Sequence, residues 1–311
     1  LFLLFPDTPY TTPEDEQRHG VVAPVIFSLL ESLMDWSIRQ TDPHAYRLDF
    51  SGLKDKDWRR VMLLSDLHWD SAQCNRELLK RDLDEALKTG TPVILVGDTF
   101  DIMQGKFDKR KSAKSLRPEH QTDNYIDTVI DDAIDWFTPY RDVLALVSKG
   151  NHETSWEKYH DTDVCARFVS GLKRNKSSVL LGKYWGFVQI GLIENPKNRV
   201  SKTLFFHHGA GGGGEITRGL IDNSRTRGMY MADAFISGHI HRRNLDENIV
   251  YHLNNLGTVC ARQQLFLRSS TYKIEDDGYH AEKGRGPRPL GGWWLELRYL
   301  RNSDVGTDCN M

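Results

Sequence analysis

Apolar residues in this chain fall into short unbroken runs separated by amphipathic stretches. Runs at 61–65, 93–97, 143–147, 185–193, 203–206 and 233–237 predict strands, and "VMLLS" at 61–65 has the continuous apolar character of a strand buried on both faces. The segments 72–89, 122–137, 155–170 and 215–231 predict helices. In the second of these, Ile126, Ile130, Ile134 and Phe137 recur at helical spacing, which leaves the acidic residues between Asp123 and Asp135 on a solvated face. Strand and helix alternate, so the expected class is α/β. Residues 248–299, with "VYHLNN", "STYKIED" and "WWLELRYL", are richer in β-like sequence. Ahead of the first run, 21–39 carries Val22, Val25, Ile26, Leu29, Leu30 and Leu33 at helical spacing and predicts an N-terminal helix packed on the main domain. The implied organisation is a helical or irregular extension over 1–59, a core domain over 60–300 and a tail over 301–311.

Length and charge narrow the possibilities only partly. A chain of 311 residues can bury a sizeable core as one large domain or two ordinary ones. Its net charge of −2 names no polyanionic partner, so such a partner has to be argued from a local patch. One patch exists at about 104–120, where Lys106, Lys109, Arg110, Lys111, Lys114 and Arg117 form an exposed basic loop. That loop either holds the backbone of a nucleic acid or is a solvated charge run balanced by the acidic helix after it. The four cysteines, Cys74, Cys165, Cys260 and Cys309, show no metal or disulfide spacing, and isolated reduced thiols point to a cytoplasmic location. With no apolar run of membrane-spanning length, no membrane partner is expected.

Chemistry enters where the predicted strands end. The first is followed by Asp66 and His68, the second by Asp98 with Asp101 behind it, and the third by Asn151, His152 and Glu153. His207 and His208 follow the run at 203–206, and His239 and His241 the run at 233–237. Each block alone is an ordinary turn or cap. Five strand ends carrying the same residue types are a set, because ligands of open α/β sheets bind beyond the carboxyl ends of the strands. Carboxylate, imidazole and amide oxygen without thiolate suit borderline-to-hard divalent ions such as Mn, Fe, Zn, Co or Ni, and the donors are too many for one ion. Two ions form a clamp for in-line attack on phosphorus.

The blocks "DLH" (66–68), "GD" (97–98), "GNHE" (150–153), "HH" (207–208) and "GHIH" (238–241) resemble the calcineurin-like metallophosphoesterase superfamily, whose pattern is D-x-H, G-D, G-N-H, H and G-H-x-H. The resemblance spans roughly 60–245. It implies two mixed β-sheets packed face to face and flanked by helices, with two divalent ions, Mn foremost, at the carboxyl ends of the strands. It also implies a first metal held by Asp66, His68, Asp98 and His241, and a second by Asp98, Asn151, a histidine of the doublet and His239. His207, coming directly off its strand, is the expected ligand of the doublet, which puts His208 near substrate; the reverse assignment stays open. By the same resemblance His152 contacts the phosphate and protonates the leaving oxygen, and a metal-bridging water or hydroxide attacks. Trp69 either lines the substrate pocket or packs in the core. "AGGGGEITRG" is either an anion-binding nest or a mobile turn, and Arg285 and Arg288 of the C-terminal loop are candidate phosphate contacts.

The branch of the superfamily is partly legible. "GDTFDIM" lacks the Arg that protein phosphatases carry after the second block, and His152 stands where the lipid A pathway hydrolases carry Arg. The expected activity is hydrolysis of a phosphoester, most simply a phosphodiester. The alternatives are a DNA or RNA nuclease of the same superfamily, or a non-catalytic module that binds metal or nucleic acid.

Overall fold

A computed structural model describes residues 2–5, 35–103, 116–211, 219–276, 282, 284 and 286–301. Two sheets face each other. The first contains β1 (Phe2–Phe5), β4 (Trp58–Leu64), β5 (Val93–Val96), β6 (Leu144–Ser148), β7 (Leu180–Leu181) and β13 (Trp293–Arg298), in the order β1-β13-β4-β5-β6-β7. The second contains β2 (Trp36–Asp42), β3 (Ala45–Ser51), β8 (Trp185–Ile193), β9 (Arg199–His207), β10 (Ala234–Ser237), β11 (Asn244–Leu253) and β12 (Val259–Arg268), in the order β11-β12-β10-β9-β8-β3-β2. β4, β5 and β6 run parallel to one another, as do β9 and β10.

The unbroken apolar runs follow from a three-layer packing. In β4, Met62 and Leu64 face the helices while Val61 and Leu63 face the second sheet; in β5, Val93 and Leu95 divide from Ile94 and Val96 in the same way. Both faces are covered, so neither tolerates a polar residue. Five α-helices are present among the described residues: α1 (Arg76–Thr89), α2 (Tyr125–Phe137), α3 (Asn151–His160), α4 (Val164–Arg174) and α5 (Leu220–Met229). The first starts on Asn75, whose side chain accepts the Leu78 N–H at 2.9 Å, and ends at Gly90 with φ +64°. The predicted helix over 155–170 is two helices, broken at Asp161, which sits at φ +52°.

The N-terminal expectation needs correction. Residues 21–34 lie outside the described residues, but Trp36–Arg39 are strand rather than helix. β2 and β3 complete the second sheet, and Tyr46, Leu48 and Phe50 lie in the layer between the sheets, so residues 36–51 belong to the sandwich and not to an extension packed on it. Lys106, Lys109, Arg110, Lys111 and Lys114, most of the glycine-rich stretch after the doublet, Arg285, Cys309 and the tail after Arg301 lie outside the described residues. Arg117 is described, and it is occupied by the fold: its guanidinium donates to the carbonyls of Ser71 and Cys74 at 3.1 Å each. Cys74 and Cys165 are free and buried, whereas Cys260 is disulfide-bonded, contrary to the expectation of isolated thiols. Among the described residues no helix is long and apolar enough to cross a membrane.

Candidate metal centre

Parallel strands deliver their carboxyl ends to one place. The turns after β4, β5 and β6 bring Asp66, His68, Asp98 and Asn151 from one sheet, and those after β9 and β10 bring His208, His239 and His241 from the other. Two groups of donors result, each with its atoms within 4.8 Å of one another: Asp66 with His68 and His241, and Asp98 with His208 and His239. Asp98 also falls in such a group with His68 and His152, which places it between the two. Asn151 Oδ1 lies 3.0 Å from His208 Nε2 and 2.7 Å from His239 Nδ1.

The imidazoles are aimed by what holds their far nitrogens. His208 Nδ1 donates to the Val96 carbonyl at 2.9 Å, and His241 Nδ1 to Glu275 Oε1 at 2.7 Å. His68 Nδ1 lies 2.8 Å from Asp101 Oδ1, although without good hydrogen-bond alignment. Each ring therefore presents Nε2 inward, the arrangement by which an acceptor behind a metal-binding histidine fixes its tautomer. His68 Nε2 and His241 Nε2 end 3.1 Å apart, a spacing that two nitrogens tolerate only with a proton or a cation between them.

Backbone geometry marks the same residues. Nine non-glycine residues have positive φ among the described ones, and Asp66, His68, Asp98, His239 and His241 are five of them. Such conformations cost on the order of 1 kcal/mol or more each and persist where the surrounding structure imposes them. The motif glycines explain part of that constraint. A Cβ on Gly150 would fall on the backbone and carboxylate of Asp98, and one on Gly238 would fall on Ser65 and the Asp66 carboxylate. Glu153 joins the turns from below: its carboxylate accepts the N–H groups of Asp98, Phe100 and Gly150 at 3.1, 3.0 and 2.8 Å.

Charge in the site is tightly balanced. Burial would raise the Asp66 and Asp98 carboxyls, but His241 and His208 beside them hold Asp66 below the ordinary range and Asp98 well below it. Burial opposes charge on His208 and His241, yet the neighbouring carboxylates outweigh it and push both up to about 10. Burial dominates at His68 and His239 and lowers both. The ionised Asp66 and Asp98, the inward nitrogens and the amide oxygen form a sulfur-free donor set that fits divalent cations of the borderline-to-hard kind.

The histidine doublet resolves against the expectation. His208 is fully buried in the cluster, with Nε2 3.1 Å from Asp98 Oδ2. His207 is half-buried outside it, accepts the Gly209 N–H at Nδ1 and stacks on Phe205. The cause is strand alternation. Phe206 faces the other sheet and Phe205 the outer surface, so His208 follows Phe206 inward and His207 follows Phe205 outward. Trp69 also departs from its substrate-lining role. It is completely buried, with its ring against His120 and Phe137 and the Arg76 guanidinium 3.7 Å above it. His152 lies beside Asp98, with its Nδ1 donating to the Asp101 carbonyl and its Nε2 3.8 Å from Asp98 Oδ2. Arg288 reaches the Ile240 carbonyl at 3.4 Å, between the two histidines of the last motif.

Two contributors were not legible beforehand. Glu275 holds His241, and Lys273 donates to Asp101 Oδ1 at 2.9 Å; both come from a segment outside every motif. No spacing rule links them to the site, because they arrive through the fold: Tyr272 N–H and the Thr271 hydroxyl both donate to the Asp66 carbonyl.

The family model described as calcineurin-like phosphoesterase matches residues 59–243, more than half of the chain. No curated protein matches it. Among solved structures, the chain is similar to a conserved uncharacterized protein, a predicted phosphoesterase, from Streptococcus pneumoniae TIGR4, with 11% identity, a TM-score of 0.30, and coverage of 78% of this chain and 84% of that one. With its five motif blocks converged at the strand ends and the family model matched across all of them, the chain belongs to the calcineurin-like phosphoesterases.

Proposed function

We propose that this phosphoesterase hydrolyses a phosphodiester with the help of two divalent ions, manganese being the first choice. The observation that carries the proposal is the pair of donor groups with Asp98 between them. Asp66, His68, Asp98 and His241 would hold one ion, and Asp98, Asn151, His208 and His239 the other. Bound there, the ions would supply positive charge against the phosphate oxygens and water activated for attack.

The chain's own residues do the rest. Asp98 is ionised and rigidly held, since Oδ1 accepts the His152 N–H at 3.0 Å and Oδ2 faces His208. His152 has its Nδ1 occupied by a carbonyl, which leaves Nε2 as the face that can hold a phosphate oxygen. As an imidazolium it passes a proton from that nitrogen to the departing alkoxide. Asp101 and Glu275 orient His68 and His241 from behind.

Hydrolysis of bis(p-nitrophenyl) phosphate tests the reading. Turnover should require added Mn, vanish with a chelator, and fall by at least about 100-fold in Asp98→Asn and His152→Ala. Undiminished turnover by chelated protein refutes it.

A further inference from the structure

A segment outside the five motifs reaches into the metal centre. It runs from Ser269 to Glu275, directly after β12, and lies beyond the residues that the family model matches. Its apolar Ile274 is exposed, whereas Ser269, Ser270, Thr271, Lys273 and Glu275 are buried. That inverts the usual order, in which charged side chains reach water and apolar ones are covered. Burying such groups is costly unless each is paired.

The pairing explains the inversion. Tyr272 anchors the segment, its hydroxyl donating to Asp82 Oδ2 of α1 at 2.7 Å. The Thr271 hydroxyl and the Tyr272 N–H donate to the Asp66 carbonyl at 2.7 and 3.0 Å. The Ser270 hydroxyl donates to the His241 carbonyl at 3.2 Å, and Glu275 Oε1 accepts from His241 Nδ1 at 2.7 Å. Lys273 donates to Asp101 Oδ1 at 2.9 Å, the oxygen that stands 2.8 Å from His68 Nδ1.

These contacts to the centre end on, or directly behind, one donor group, that of Asp66, His68 and His241. The other group is braced from elsewhere: the Val96 carbonyl accepts from His208 Nδ1, and Glu153 accepts the Asp98 N–H. Charge divides in the same way. One group has Asp66 and the shared Asp98, with Glu275 behind His241; the other has Asp98, with a neutral carbonyl behind His208. A carboxylate behind an imidazole orients the ring and makes it a stronger donor, which is worth about 10–100-fold in metal affinity.

We propose that the two ion subsites are unequal: the group of Asp66, His68 and His241 fills first, and Glu275 is the positioning residue that makes it the tighter of the two. The inference rests on the two-ion reading and adds an order of filling to it.

Calorimetric titration of the full chain with Mn, followed by electron paramagnetic resonance, tests this without any turnover. The parent chain should bind Mn in two steps, with an isolated-ion signal at one equivalent and a spin-coupled pair at two. Repulsion between two ions separates the steps in any such centre, so the variants make the assignment. Glu275→Ala should weaken the tighter step by about tenfold or more. Glu275→Gln, which keeps an oxygen facing His241 Nδ1, should recover most of that loss. Asn151→Ala, which takes a donor from the other group alone, should weaken the looser step and leave the tighter one within about twofold. If Asn151→Ala instead weakens the tighter step and Glu275→Ala only the looser, the order is reversed and the inference fails. It fails equally if Glu275→Ala weakens both steps alike, or if Glu275→Gln is no better than Glu275→Ala. Absence of a second step overturns the two-ion reading along with it. Two steps assigned as expected, with no ester hydrolysed, leave the filling order standing and remove the phosphodiesterase reading. Mn-dependent hydrolysis with the reversed assignment removes the filling order alone.

Discussion

Replacing the two histidines of the doublet one at a time separates a residue buried in the donor cluster from a half-buried one beside it. His208 bonds to the Val96 carbonyl, Asn151 Oδ1 and Asp98 Oδ2, with Nε2 also 4.0 Å from Asp66 Oδ1, and it has no solvent exposure. His208→Ala leaves the Asp98 carboxylate buried without its imidazole partner, while the Val96 carbonyl keeps the Ser65 hydroxyl at 2.7 Å. Breaking one side of a buried charge pair costs about 3–5 kcal/mol, a large part of the roughly 5–15 kcal/mol that holds a protein folded. His207→Ala removes one acceptor for the Gly209 N–H in a half-buried position, worth about 1 kcal/mol. Urea unfolding in the presence of chelator measures both costs. Mn titration by calorimetry then gives affinities, which should fall at least about tenfold in His208→Ala and change by less than about twofold in His207→Ala. If His207→Ala abolishes Mn binding and His208→Ala preserves it, the argument from strand alternation is wrong.

Three further outcomes follow from the same geometry. His208 and His241 have pKa values raised to about 10, above the ordinary 6.5, so in chelated protein their stabilising charge is fully present below about 6.5 and is lost as pH rises through 10. Metal must displace those protons, so Mn binding at pH 8 should release about two protons per chain, measured by calorimetry in buffers of different ionisation heat; pH-independent binding without proton release contradicts the assignment. Glu275→Ala, which frees the far nitrogen of His241, should weaken metal binding about 10–100-fold while leaving the far-UV circular dichroism unchanged. Trp69→Ala should cost about 3–5 kcal/mol in urea unfolding as a core truncation, and Trp69→Phe should lose less stability and keep the parent KM, which a substrate-lining residue would not.

The strand ends were readable because two requirements coincide in them. A strand covered on both faces has to be apolar throughout, as Val61 to Leu64 and Val93 to Val96 are, and a metal site has to place polar donors where such a strand stops. The sudden change from "VMLL" to "SDLH" therefore carried both the fold and the chemistry, and Gly150 and Gly238 marked where turns touch. Where both faces of a strand are apolar, however, parity is invisible. "TLFFHH" does not reveal which phenylalanine faces inward, so it could not assign the doublet. Trp69 was ambiguous for a related reason, since an aromatic after a motif packs wherever the turn sends it, and here the turn sends it beneath α2.

On its own, the sequence determined the α/β class, the positions of the central strands along the chain and the donor types at their ends, since these depend on residue character along a local run. Only the tertiary structure decided that residues 36–51 complete the second sheet, that His208 rather than His207 enters the cluster, and that Glu275 and Lys273 stand behind it. These are decisions of pairing and layer packing, made between segments whose separation in sequence says nothing about their separation in space.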